Sequence, residues 1–398
     1  MHTSHVSSAP ALWPGDYART GNMRSDHARP FRASLPRLGR RPLWTGATWM
    51  EGELCAAGSA HENSWTLSSG GQRSSGAGPA DGSSFGSSGG VQRDDGPGFD
   101  HDVPPTGYVW WYVDALSTDR QYGLTIIGFI GSVFSPYYAW SGRQDPLNHC
   151  AINVALYGRG GQRWAMTERS RKAVERSPDH LHIGPSAMHW DGQGLTITLR
   201  EISTPFFKPV RGQVRLVPKV INAHSFPLAQ QGQHHWRPIA PLSHVQVEFS
   251  DPHLHWAGDG YFDMNWGAAP LEDAFVNWTW SRASQSNSAS VLYNTHLRDQ
   301  TRLSLALRFS SQGGFEHLPS PAQAKLPRSK WGLSRSTGSD DGQARLVTSF
   351  EDTPFYSRSL IASSVFGDSV TGVHESLSLD RFAHPLVKCM LPFRMPRR

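Results

Sequence analysis

Hydrophobic and polar residues alternate with a period of two along several short runs that follow residue 107. The clearest runs are GLTITLREI (194–202), HVQVEF (244–249) and RLSLALRF (302–309). Because successive side chains of a β-strand point to opposite faces, each run predicts a half-buried strand. Gly, Pro, Asn and Asp separate the runs, which is typical of antiparallel hairpins.

Two further runs are rich in aromatic residues. GYVWWYVDALS (107–117) carries rings on both faces, which predicts a strand buried on each side or a cavity wall. Core packing of these rings is favoured over ligand contact. Asp114 in this run is either a turn acid or a second charged group near a site. AFVNWTWSR (274–282) places Trp278 and Trp280 on one face, as the wall of a barrel or sandwich requires.

Helical patterns are scarce, and the best short candidate is TERSRKAVER (167–176). The predicted fold class is therefore mainly β. The number of strands favours two antiparallel β-barrel domains over one large sheet. We place the junction in the Pro-containing stretch HHWRPIAPLS (234–243), so that residues 99–240 and 241–398 form one barrel domain each.

The first 98 residues lack sustained periodicity and include a long Gly/Ser-rich stretch, residues 68–90. Such a composition buries too little apolar area to offset the entropy lost on ordering. We expect residues 1–98 to be a low-complexity, disordered extension.

Composition adds information about the ligand. The 398 residues are 38% hydrophobic and only 18% charged, and they include 15 Trp, which favours an aromatic-lined cavity. The formal net charge is +5 and the basic residues are scattered, which argues against nucleic acid as a partner. Mild basicity suits contact with an anionic membrane, and the C-terminal PFRMPRR (392–398) sets arginines beside apolar residues. A solvated basic tail is the favoured alternative for that end.

The three cysteines, Cys55, Cys150 and Cys389, are odd in number and far apart. They give neither a disulfide framework nor a zinc spacing, and they suit a reducing compartment. No signal peptide is recognisable, and the best apolar run (123–134) is too short to span a bilayer. We expect a protein that is soluble or lies on a membrane surface, without a transmembrane helix.

Several motifs of cofactor enzymes and hydrolases are missing. The sequence has no GxxxxGK[ST] phosphate loop and no strand-linked GxGxxG, and GxSxG occurs only within the Gly/Ser-rich stretch, at residues 82–86 and 86–90, where no strand-to-helix turn is predicted to form a nucleophile elbow. His-x-His occurs at His180/His182 and at His253/His255, but no spacing supplies a third metal ligand. We therefore expect neither a metal nor an organic cofactor.

One acid lies among aromatic residues in GDGYFDMNWG (258–267). In a strand, Tyr261 and Asp263 share a face, so a cavity lined by one is also lined by the other. Aromatic walls desolvate a carboxyl group and raise its pKa, so that it stays protonated near neutrality and can serve as a general acid. The alternative is a turn or strand-end residue bonded to backbone amides.

A second candidate site lies in HHWRP (234–238). If this stretch is extended, His234 and Trp236 share a face. Histidine can relay a proton near neutral pH, and the face of a Trp ring can stabilise a carbocation. The alternative is a pair of satisfied surface histidines on a linker.

Residues 107–140, 145–158 (DPLNHCAINVALYG), 163–169 (RWAMTER) and 260–282 (GYFDMNWG to FVNWTWSR) together resemble the carotenoid 1,2-hydratases, also called hydroxyneurosporene synthases, of purple photosynthetic bacteria. The resemblance runs from about residue 99 to the C-terminus. It implies two lipocalin-like β-barrels and cofactor-independent hydration of the terminal C1,2 double bond of acyclic carotenes such as neurosporene and lycopene. The family's proposed catalytic positions fall on His234, Trp236, Tyr261 and Asp263.

In that scheme Asp263 protonates C2, Trp236 faces the cation at C1, and His234 takes the proton of the attacking water. We expect four further rings to contact the substrate, namely those of Trp111, Trp266, Trp278 and Trp280. The implied partners are the carotenoid, water and peripheral membrane lipid. The implied location is the cytoplasmic side of the photosynthetic membrane. A non-catalytic carotenoid or lipid carrier and a related polyene cyclase are the rival hypotheses.

Overall fold

The computed structural model describes residues 96–160, 162–229 and 232–398. Its first sheet lies between residues 108 and 267 and is antiparallel throughout. The strands of this sheet are β1 (Tyr108–Ser117), β2 (Gly123–Ile130), β3 (Cys150–Tyr157), β4 (Arg163–Arg169), β5 (Val174–Arg176), β6 (His180–Ile183), β7 (Ser186–Trp190), β8 (Leu195–Ile202), β9 (Pro209–Val220), β10 (Phe226–Pro227), β11 (His234–Asp251) and β12 (Leu254–Gly267).

The first sheet curls into a nearly closed barrel. Its strand order is β4-β3-β2-β1-β12-β11-β9-β8-β7-β6-β5, with β10 added to β11. The two outermost strands, β4 and β5, follow each other in the chain and are joined by residues 170–173. A short link between the two edges requires them to lie close together, which leaves little exposed sheet edge.

The second sheet is also antiparallel and has the order β16-β15-β14-β13-β21-β20-β19. Its strands are β13 (Phe275–Ser284), β14 (Ser288–Leu297), β15 (Arg302–Ser310), β16 (Phe315–His317), β19 (Ala344–Asp352), β20 (Tyr356–Val365) and β21 (Asp368–Ser378). A separate hairpin consists of β17 (Gln323–Leu326) and β18 (Arg335–Gly338). The short helices are α1 (Pro136–Trp140), α2 (Leu271–Ala274), α3 (Leu379–Ala383) and α4 (Pro385–Met390).

Strand β1 is buried along its whole length because each of its faces belongs to a different core. Val109 and Trp111 point into the core of the first barrel. Trp110 and Tyr112 belong to a second core, which also includes residues of β13 and β21. The outer face of the first barrel is thus covered by the second sheet, and the expected strand buried on both sides is confirmed.

The predicted mainly β, antiparallel class is confirmed, with one nearly closed barrel and a second sheet, and the runs at 194–202 and 302–309 form β8 and β15. The helix predicted over 167–176 was wrong. Strand β4 continues to Arg169, residues Arg171–Ala173 form one 3-10 turn, and β5 begins at Val174. Arg169 is buried and pairs with Glu201 of β8 at 2.7 Å, so tertiary pairing overrides local helical preference here.

The sheet limits differ from the expected junction between residues 240 and 241. Residues 234–251 form one continuous strand, β11, so position 240 lies inside it. The first sheet ends at Gly267 and the second begins at Phe275. The division into two barrel domains stays a prediction. Residues 1–95 of the expected extension lie outside the described residues.

Candidate active site

A cavity of about 330 Å³ lies between the outer face of the first barrel and the second sheet. Tyr112 of β1 and Asp263 of β12 line it from the barrel side. Trp278 and Trp280 of β13 and Glu375 of β21 line it from the second sheet. Most other lining residues are apolar or aromatic, so the cavity is a low-dielectric environment with a few polar groups.

The carboxyl group of Asp263 is held by two hydrogen bonds to one of its oxygens. The Trp236 indole N–H donates to Oδ2 at 2.8 Å, and the Tyr261 hydroxyl donates to the same oxygen at 2.7 Å. Tyr261 shares the face of Asp263 because it is two residues earlier in β12, and Trp236 pairs with Asn265 in the next strand. Oδ1 is buried and has no hydrogen-bond partner among the described residues.

Desolvation raises the pKa of Asp263 to about 7, even though the hydrogen bonds from Trp236 and Tyr261 oppose the shift. The negative charge of Glu375 adds to the rise. A large fraction of this carboxyl group is therefore protonated near neutral pH. Because Oδ2 already accepts two hydrogen bonds, Oδ1 is the oxygen best placed to carry the proton.

Glu375 supplies a second carboxyl group from the opposite wall, and the sequence analysis missed it. Arg358 forms an ion pair with its Oε1, and the Tyr112 hydroxyl donates to the same oxygen at 2.7 Å. The sequence offers no signal for this site, since Glu375 lies between ordinary polar residues of a strand. Its cation, Arg358, is contributed by a neighbouring strand, β20.

Asp114 was left open as a turn acid or as a second charged group near the site. It is fully buried and forms ion pairs with Arg282 and Arg358. Asp114 does not line the cavity, but it helps to fix the guanidinium that holds Glu375. Asp114 therefore links the two sheets through buried ion pairs.

The structure brings only two of the four predicted substrate-contacting Trp residues to the cavity. Trp278 and Trp280 line it, whereas Trp111 and Trp266 do not. Trp111 lies in the core of the first barrel, where its indole N–H donates to Pro97 O at 2.9 Å. Trp266 stacks on His235, with ring centroids 5.0 Å apart. Both rings point away because each lies one residue from a cavity-lining position in its strand.

His234 does not line the cavity. Its Nδ1 is 3.0 Å from the Tyr108 hydroxyl, and its ring centroid is 4.9 Å from that of Phe275. Burial lowers the pKa of His234 to about 4, so the ring is neutral near pH 7. The structure thus places this imidazole outside the cavity lining, and the proton-accepting role that the sequence hypothesis gave to His234 stays a prediction.

Fold and site together define a mainly β protein whose apolar cavity is lined by one carboxyl group with a raised pKa and by a second one held in an ion pair. The family model "Carotenoid hydratase CrtC" matches residues 126–398, and the chain belongs to this family. It is 48% identical to the acyclic carotenoid 1,2-hydratase of Thiocapsa roseopersicina over 402 residues, which cover 100% of this chain and 99% of that protein. The namesake in Rubrivivax gelatinosus is 45% identical over 76% of each chain. That of Cereibacter sphaeroides is 46% identical over 69% of this chain and 98% of its own.

Metal ligands are not grouped in the described residues, where no cluster of three or more His, Cys, Asp or Glu side chains could hold an ion. Among the helices that the structure describes, none has the length and apolar character needed to cross a membrane.

Proposed function

We propose that the protein adds water across the terminal C1,2 double bond of acyclic carotenes such as neurosporene and lycopene, giving 1-hydroxy carotenoids. The observation that carries this proposal is Asp263, a carboxyl group whose pKa is about 7 and which lies in an apolar cavity. An unactivated alkene must be protonated before water can attack it, and this group is an acid of suitable strength. Membership of the carotenoid hydratase family supports the same reaction.

In the first step, the Oδ1–H bond of Asp263 breaks and a C–H bond forms at C2 of the polyene end. The Trp236 N–H and the Tyr261 hydroxyl stabilise the carboxylate as it develops, since both already donate to Oδ2. Trp236 thus supports the acid, in place of the direct contact with the cation that the sequence suggested. No cofactor enters this step.

The tertiary cation at C1 would lie against the aromatic walls of the cavity, of which Trp278 and Trp280 are the largest rings on the side of the second sheet. A desolvated cation over such a ring is stabilised by about 2 kcal/mol. Water then forms a bond to C1. Its proton needs an acceptor within the cavity, which His234 does not line.

We further propose that the substrate enters from membrane lipid, with the protein bound peripherally on the cytoplasmic side of the photosynthetic membrane. Trp331 and Met390 line the cavity and are also 53% and 51% exposed, so they mark its opening. Phe393 nearby in the chain is 84% exposed, and the Arg394 side chain, which also lines the cavity, is 42% exposed. Exposed apolar residues beside a cation suit the interface of an anionic bilayer.

Incubation of the purified protein with lycopene in deuterated water, without added cofactor, tests the reaction. A hydratase yields a product that gains one oxygen and carries deuterium at C2. Recovery of unchanged pigment would identify a carrier, and an isomeric product without oxygen would identify a cyclase. Either of these results would contradict the proposal.

A further inference from the structure

We propose that Glu375 is the base that takes the proton of the attacking water, and that Glu375 and the indole N–H of Trp280 together hold this water opposite Asp263. This inference rests on the proposed hydration reaction. It assigns to Glu375 the step that the sequence hypothesis gave to His234.

The first support is the arrangement of two cross-strand pairs. Tyr112 and Asp263 are directly paired in the β1–β12 ladder, and Trp280 and Glu375 are directly paired in the β13–β21 ladder. Directly paired residues point to the same face of a sheet. All four line the same cavity, and the Tyr112 and Trp280 rings meet edge to face with centroids 5.6 Å apart. The two pairs therefore belong to opposing walls of one space, with an acid on each.

The second support is the difference in charge partners between the two acids. Glu375 is paired with Arg358, which is itself fixed by Asp114. Asp263 accepts hydrogen bonds from neutral donors, and no described cation forms an ion pair with it. One carboxyl group that accepts only from neutral donors and one that is held by an arginine form the arrangement needed for one acid and one base.

The third support is a pair of polar atoms without partners on neighbouring residues. Nε1 of Trp280 is buried and has no acceptor among the described residues. Both bonds to Glu375 use Oε1, so Oε2 has no hydrogen-bond partner in the described part of the chain. A water that accepts from the Trp280 N–H and donates to Oε2 bonds both atoms, and a buried donor such as this N–H is normally satisfied in this way.

After Asp263 has protonated C2, an electron pair of the water oxygen forms the bond to C1. One O–H bond of that water breaks, and its proton passes to Oε2 of Glu375. Exchange with solvent then removes the proton from Glu375 and returns one to Asp263, so that the enzyme is unchanged after each turnover.

The test compares Glu375→Gln with Glu201→Gln. Glu201 is a matched control because its carboxylate is also bound by one arginine, Arg169, and one hydroxyl, that of Ser186, and it does not line the cavity. We expect Glu375→Gln to lower kcat for hydration by about 100-fold, as for loss of a general base, while lycopene still quenches tryptophan fluorescence with unchanged affinity. Glu201→Gln should keep kcat within about threefold of wild type.

The product formed from the cation at C1 distinguishes a base from a residue that only supports the fold, because loss of a structural residue would not change which product forms. In Glu375→Gln the cation still forms but is captured slowly by water. A methyl group at C1 then loses a proton to the Asp263 carboxylate, the C–H electron pair forms a new double bond to C1, and the product is an alkene isomer. In deuterated water this isomer carries deuterium at C2 and no added oxygen. Asp263→Asn should give neither deuterium nor oxygen. Deuterated pigment without added oxygen from Glu375→Gln therefore shows that the acid still protonates C2 and that only the addition of water is impaired.

Two further variants keep the inference testable if Glu375→Gln does not fold. Glu375→Asp retains the charge that Arg358 requires but shortens the side chain by one methylene, which moves the oxygens away from the cavity. Trp280→Phe replaces the indole by a smaller aromatic ring without an N–H. We expect each variant to lower kcat at least about 10-fold without a change in KM. In Glu375→Asp the base is moved away from the water, and in Trp280→Phe the water loses the N–H that holds it. The inference is wrong if the wild-type protein hydrates lycopene and Glu375→Gln hydrates it at the same rate. If Glu375→Gln does not fold, the same comparison is made with Glu375→Asp. The inference is equally wrong if Glu201→Gln loses as much activity as Glu375→Gln. Absence of hydration by the wild type would instead refute the proposed function.

Discussion

The hydroxyl of Tyr261 donates to Oδ2 of Asp263 at 2.7 Å, and these two side chains are two residues apart on one strand. Together with the Trp236 N–H, this bond occupies Oδ2 and leaves Oδ1 without a partner. Burial favours the neutral carboxyl, while the two donors favour the carboxylate that forms when the proton leaves. The acid is thus balanced between its neutral and ionised forms near neutral pH.

Asp263→Asn should abolish hydration and also stabilise the protein at pH 8. The folded pKa of about 7 lies above the ordinary 3.8, so the folded state binds more protons and stability falls as the pH rises between these values. Above pH 7 the penalty reaches about 4 kcal/mol, and an uncharged amide avoids it.

Thermal melting at pH 8 and at pH 4, combined with product analysis, checks the effect of Asp263→Asn. The gain in Tm should be present at pH 8 and vanish near pH 4. Asp259→Asn is the control, because Asp259 is in the same strand but forms a half-exposed ion pair with Arg120. Wild-type turnover by Asp263→Asn would remove this residue from the mechanism.

The rate of hydration should fall as the pH rises through about 7, because only protonated Asp263 can donate. At pH 9 about 1% of the group keeps its proton, so kcat should be about 100-fold lower than at pH 6. Steady-state assays with detergent-dispersed lycopene measure this profile. A rate that is constant or rises between pH 6 and 9 would be inconsistent with a carboxylic acid as the proton donor.

In Tyr261→Phe, the pH at which the rate of hydration begins to fall (the alkaline limb of the profile) should be higher by about one pH unit. The change removes a donor that stabilises the Asp263 carboxylate, so the pKa of Asp263 rises. The maximal rate should also fall, since a weaker acid protonates the alkene more slowly. Tyr138→Phe is the matched control, because the Tyr138 hydroxyl donates to Gly107 O at 2.8 Å and does not contact Asp263. If both variants keep the wild-type limb, Tyr261 does not tune the acid.

Trp278→Leu should lower kcat/KM by about 30-fold, because a cation–π interaction of about 2 kcal/mol is lost while the wall stays apolar. Trp266→Leu removes an equal ring that lies outside the cavity, and it should leave kcat/KM within about threefold of wild type. Both variants are compared in the same lycopene assay, with melting temperatures to monitor packing. Equal losses from the two variants would argue against a specific role of Trp278 at the cation.

The sequence by itself determined the local features of this protein. A period of two is a property of neighbouring residues, so it predicted β8 and β15, the two buried faces of β1 and the common face of Tyr261 and Asp263. The run around Asp263 left two alternatives open, a desolvated acid or a strand-end residue bonded to backbone amides, and the family resemblance favoured the acid. The raised pKa of Asp263 agrees with that choice.

The tertiary structure alone decided which face of each strand meets the cavity and which charged groups meet there. Trp110 and Trp111 look equivalent in the sequence, but only Trp110 lines the cavity, because the second sheet covers one face of β1. Glu375 reaches Tyr112 across a separation of 263 residues. Such contacts depend on pairing between distant strands and on the packing of two sheets, neither of which leaves a periodic signal along the chain.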